Sequence, residues 1–123
     1  MLTLGEILID EERFEEAEKH LRLGFETRQT NSEPDWATYH TQSALGEALA
    51  GLGRDEEALK HLEESMTELQ QDFDDLLESA QTDMLNKSVE RLIKFSQSHP
   101  GLTDLEKWQQ LKVQIQKRVP QKK

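Results

Sequence analysis

The side chains able to do chemistry are few, and their spacing keeps them apart. His20 and His61 each follow a glutamate by one helical turn, Glu16 and Glu57. Imidazole with carboxylate is a zinc donor set, but the two histidines stand 41 residues apart at matching places in the chain. That argues against convergence on one ion. His40 and His99 are isolated in the sequence, and His99 beside Pro100 reads as a loop residue. Gly51-Leu52-Gly53 is a fragment of a phosphate loop without the further glycine, the lysine or a preceding strand, and it reads as a helix end. Asn86-Lys87-Ser88 fits a glycosylation acceptor but falls inside an expected helix. There is no Gly-x-Ser-x-Gly elbow, no kinase catalytic signature and no cysteine. Disulfides, thiolate metal sites and cysteine nucleophiles are thereby excluded. The expectation is a chain that is not an enzyme and holds no metal or cofactor.

The elements that carry these residues repeat. Shifted by 41 positions, Leu4-Gly5-Glu6-Ile7-Leu8 falls on Leu45-Gly46-Glu47-Ala48-Leu49, and Lys19-His20-Leu21 falls on Lys60-His61-Leu62. From Leu4 to Leu21, 11 of 18 positions are identical, where roughly one match in fifteen is expected by chance. A period of this length means a stacked helical array. The apolar spacing agrees. Phe14, Ala17, Leu21 and Phe25 share one helical face. So do Ala58, Leu62, Met66 and Leu69; then Leu85, Val89, Leu92, Ile93 and Phe95; then Leu105, Trp108, Leu111 and Ile115. The pattern predicts six helices, near 1–11, 13–30, 34–52, 54–72, 82–98 and 103–118. Ser32 with Pro34 marks the start of the third, Gly53 ends it, and Thr103-Asp104-Leu105-Glu106 reads as a capping box. Asp72, Asp74 and Asp75 are poor helix formers, so a break is expected across 73–81. Trp36 and Trp108 are expected in the core. Residues 1–118 read as one array with units near 1–30, 34–72 and 82–118, followed by a disordered tail at 119–123.

Charge is divided along the chain. Residues 1–83 hold 22 Asp/Glu against 6 Lys/Arg, and residues 84–123 hold 3 against 9, giving −16 and +6. The acidic part repels phosphate and so excludes a nucleic-acid surface there. The basic end has three possible counterparts: the acidic face of a second copy, an acidic partner, or water. No apolar run approaches the length of a membrane span, and with the lack of cysteine this reads as a cytoplasmic chain.

Leu45-Gly46, Leu49, Gly53, Ala58 and Leu62, with Leu4-Gly5, Leu8, Phe14, Ala17 and Leu21 before them, resemble the tetratricopeptide repeat. The common form has a period of 34 residues. The longer spacing here is similar to the long-repeat type of kinesin light chains and many bacterial proteins. The stretch Asp35-Trp36, Gln42-Ser43-Ala44-Leu45-Gly46-Glu47 and Gly51-Leu52-Gly53-Arg54-Asp55-Glu56-Glu57-Ala58 further resembles the C-terminal arrays of bacterial serine/threonine protein kinases. The resemblance implies an all-α superhelix of stacked antiparallel hairpins. It also implies a non-catalytic module that binds a protein or peptide in a groove lined by the first helix of each unit. Carried onto this sequence, that groove consists of Glu6, Ile9 and Asp10 in the first unit and His40, Ser43, Glu47 and Ala50 in the second, all expected to be exposed.

Ser43 and Glu47 stand where related adaptors use lysine and asparagine to clamp a carboxylate, so the groove is expected to prefer a basic or neutral ligand. Reversing Glu6 and Glu47 is then expected to weaken binding without unfolding the array. Three departures stand out: Asp55 replaces an aromatic, Glu12 replaces a turn glycine, and the first helix lacks most of its first two turns. The shortened helix is expected of a piece of a larger array, or of a chain whose end a partner or second copy covers. Two other roles fit the same residues, a regulatory segment of a larger kinase and a structural or self-association element.

Overall fold

The computed structural model describes residues 4–31, 35–78 and 82–118. The expected tail at 119–123 and the Ser32 and Pro34 helix start lie outside them. Seven helices are described: α1 (Leu4–Asp10), α2 (Phe14–Asn31), α3 (Trp36–Gly51), α4 (Asp55–Gln71), α5 (Phe73–Glu78), α6 (Thr82–Ser98) and α7 (Leu105–Arg118). No described residue lies in a strand. Among the described residues no helix is long and apolar enough to cross a membrane.

The helices form antiparallel pairs, α1 with α2, α3 with α4 and α6 with α7, each pair packed on the next. The first helices touch in sequence, α1 to α3 and α3 to α6. The two repeat units turn in the same way. Arg13 N–H donates to the Leu8 carbonyl at 2.8 Å and Glu12 N–H to the Ile9 carbonyl at 2.9 Å; Arg54 donates to Leu49 at 3.0 Å and Gly53 to Ala50 at 3.0 Å. These bonds satisfy carbonyls at the helix end and place one residue in the left-handed region. Gly53 takes that place at φ 78° without strain, whereas Glu12 takes it at φ 59°, at a cost of about 1–2 kcal/mol.

The repeat glycines let the paired helices touch. A Cβ on Gly46 would lie 2.7 Å from Leu62 Cγ and 3.1 Å from the Ala58 carbonyl oxygen, and one on Gly5 would lie 2.4 Å from Leu21 Cδ2. Gly51 gives the same room to the ring of Phe14, which seals the first unit against the second. The expected apolar faces are buried throughout, apart from Phe14, Leu105 and Ile93 at the margins.

Four expectations need correction. The segment around 73–81 contains a helix, α5, because Phe73 and Leu76 are spaced to pack on α6 and Leu76 is buried; the count is seven rather than six. The third helix is capped by Asp35, whose carboxylate accepts from Thr38 N–H at 3.2 Å. At α7 the cap is Asp104, which accepts from Lys107 N–H at 3.1 Å. Thr103 instead donates to Glu63 at 2.8 Å and accepts from the Trp108 indole at 3.0 Å. Trp108 is buried, but Trp36 is exposed because it stands on the first turn of α3, at the edge of the stack.

Gly46→Ala is expected to lower unfolding stability by about 1–2 kcal/mol in urea titration, since overpacking against Leu62 and the α4 backbone outweighs the roughly 1 kcal/mol of helix propensity that alanine gains. A neutral or stabilising result would show that the helices do not touch there.

Candidate functional site

The face formed by α1, α3 and α6 gathers most of the ionised side chains that lie far apart in sequence. Arg91 on α6 is the hub. Its Nε donates to Glu47 Oε1 at 2.9 Å, its Nη1 to Ser43 Oγ at 3.2 Å and its Nη2 to Glu6 Oε2 at 3.4 Å. Lys87 reaches the same Glu6 oxygen at 3.3 Å, and Lys94 stands 4.0 Å from Glu47. A residue on α6 can meet both α1 and α3 only if this face is concave. The planar guanidinium suits the task, because its fixed fork of donors serves three acceptors at once. The side chains of Arg91 and Glu6 are only 7% and 8% exposed, so the charges are compensated rather than solvated.

His40 completes the cluster. Its Nε2 lies 3.4 Å from Glu6 Oε1, while its Nδ1 is buried without a partner. Burial pushes its pKa down, Arg91 adds to the effect, and Glu6 opposes it. His61 is lowered in the same direction, again chiefly by burial; it sits edge-on to Phe25 and 3.2 Å from the Gln42 amide. Among the described residues no three His, Cys, Asp or Glu side chains are grouped to hold a metal.

Beside the cluster opens a cavity of about 600 Å³. Ile9, Phe14, Ala50, Leu62 and Phe95 supply its apolar lining. Asp10, Glu11 and Glu12 stand on one lip, and Arg91, Lys94 and His99 line the other. His99 is held by stacking on Phe95 at 4.2 Å and by Asp55 at 3.1 Å. A second hollow of about 290 Å³ continues past Glu6, Lys87 and Glu90. A larger depression, about 720 Å³, lies apart from this face between the α4–α5 junction and α7, walled mainly by glutamines and aspartates.

The expected groove residues divide. Ile9, Asp10 and Glu47 line both hollows and Ala50 the larger one. Glu6, Ile9 and Ser43 are buried rather than exposed, Glu6 and Ser43 because α6 lies over them. His40 faces the ion cluster. The basic segment thus meets the acidic face of its own chain. The cations of α6 and the ring of Phe95 were not among the expected groove residues, because the third unit is too divergent to carry positions over. The signal present was the spacing of Lys87, Arg91 and Lys94, which puts three cations on one helical face.

These features define a helical-repeat module whose recognition surface is the first-helix face. The tetratricopeptide repeat family model matches residues 1–71, more than half of the chain, and the protein belongs to that family. Repeats of this family generally mediate protein–protein interaction and are non-catalytic. No curated protein and no solved structure matches the chain.

The ion cluster changes what reversing Glu6 and Glu47 would test, since both now hold Arg91. Arg91→Met should cost about 3–5 kcal/mol in chemical denaturation by leaving Glu6 buried without its main partner; a loss below about 1 kcal/mol would place these charges in solvent. The lowered histidines predict a pH dependence. Their stabilising contribution is full above the free value of 6.5 and is lost as pH falls below it toward the depressed folded-state values. Between about pH 7.5 and pH 5.5, His40→Gln should therefore flatten the fall in unfolding free energy. An unchanged slope would remove His40 from that linkage.

Proposed function

We propose that the concave face binds a peptide or an extended segment of a partner protein, and that the 600 Å³ cavity is its main side-chain pocket. The observation that carries this reading is the cavity's composition. An apolar floor of Ile9, Ala50 and Phe95 lies between charged lips on different helices, and sites of this volume commonly pair apolar walls with a few polar groups that fix orientation. The polarity of the ligand follows from what remains uncommitted. Arg91 and Lys94 face Glu47, whereas Asp10 and Glu12 on the opposite lip hold no other side chain. The open charge is negative, which favours a basic or neutral segment. A clamp for a terminal carboxylate has no support, since Arg91 is buried and fully engaged.

The likeness of the stretch from Asp35 to Ala58 to the arrays of bacterial serine/threonine kinases supports a second reading, in which this module is the regulatory segment of a larger kinase. A kinase domain found in the same open reading frame would establish it.

Asp10→Lys together with Glu12→Lys should weaken binding of a basic peptide library by about tenfold, equivalent to ~1.4 kcal/mol, without loss of helical signal. Unchanged affinity in fluorescence titration would remove the peptide from this lip.

A further inference from the structure

The two repeat units have the same sequence pattern but different burial on one side. Leu45 and Ala48 of the second unit are fully buried, whereas their counterparts Leu4 and Ile7 are 54% and 42% exposed. Each unit is followed by another, α3–α4 in one case and α6–α7 in the other, so a following unit does not account for the difference. What the second unit has and the first lacks is a preceding helix, α2, packed on it. Leu23 tells the same story. Its counterpart Glu64 lines a hollow shared with Phe25 of α2, while Leu23 is 67% exposed.

The charges repeat the contrast. Between the units, Arg22 of α2 meets Glu57 at 2.7 Å and Glu18 of α2 meets Arg54 at 3.4 Å. The counterparts of Glu57 and Arg54 in the first unit are Glu16 and Arg13. With no helix before them they pair with each other, both side chains at least half exposed. The first unit therefore presents the apolar and ionic surface that, one unit later, receives an amphipathic helix.

We infer that this open face of α1 and α2 docks an amphipathic helix of a partner protein. Its apolar stripe covers Leu4, Ile7 and Leu23, and a glutamate and an arginine four residues later on its flank engage Arg13 and Glu16. A second copy of this chain is a poor occupant. The Glu18–Arg22 pair of α2 is already engaged, and the exposed side of α7 consists mainly of glutamines and lysines around Val113. Two copies of the same acidic face would also repel.

The probe is a labelled synthetic peptide with the sequence of residues 14–31, the helix that fits the equivalent surface, titrated into the full chain. Saturable binding is expected, with amide shifts in α1 and at Leu23. Ile7→Asp with Leu23→Asp in the protein, or Arg22→Glu in the peptide, should weaken it more than tenfold. Glu16→Arg in the protein should restore part of the affinity for the Arg22→Glu peptide. Absence of saturable binding, affinity unaffected by these substitutions, or shifts confined to α3 through exchange with the protein's own α2 would each overturn the proposal. Sedimentation showing a dimer that Ile7→Asp abolishes and the peptide does not displace would assign the face to a second copy and overturn it as well.

Discussion

One buried arginine ties together three helices that the turns alone would leave independent. Arg91 spans from α6 to Glu47 and Ser43 on α3 and to Glu6 on α1. In a repeat array each unit rests mainly on its neighbours, and a contact from the third unit to the first is an addition to that scheme. It fixes the curvature of the first-helix face and thereby the width of the cavity beside it. It also decides which charges a ligand meets, because the carboxylates nearest the centre are already answered from within the chain. Such a cluster is poor in net stability, since desolvation opposes attraction. Its main effect is to specify one arrangement of the helices.

Cross-unit ion pairs and close glycine contacts act at different levels. Gly5 and Gly46 set the distance within each hairpin, and the Phe14 ring against Gly51 joins one hairpin to the next. Arg22 with Glu57 and Arg54 with Glu18 then fix the sliding of α2 over α4. These surface pairs add little energy singly, but they record what the repeat surface is shaped to receive. The two ends of the array differ accordingly. α7 closes one end with Trp108, Leu111 and Ile115 turned inward, while Leu4 and Ile7 remain open at the other.

The fold was legible because its constraints are local and repeated. Gly46, Ala58 and Leu62 recur at fixed offsets, and helical spacing of apolar residues marked every long helix. α5 was hidden because its aspartates masked the spacing of Phe73 and Leu76. Trp36 was misjudged because an aromatic at a helix start gives no sign of which way it faces. The candidate site was half legible. Ile9, Asp10, Glu47 and Ala50 follow from repeat position, but burial of Glu6 and Ser43 depends on α6, whose unit has drifted too far from the repeat to be superposed. Charge inversion after residue 83 was visible in sequence; that it folds back onto the acidic face of the same chain is a tertiary fact.

The account stands on direct coupling between the first and third units, and a double-mutant cycle measures it. Urea denaturation of Glu6→Gln, Arg91→Met and the double variant isolates their interaction energy. The account predicts a coupling of about 1–3 kcal/mol, the range for residues in one buried network. Additivity within about 0.5 kcal/mol would mean that α1 and α6 do not communicate through this contact, and the concave face would lose the constraint that shapes it.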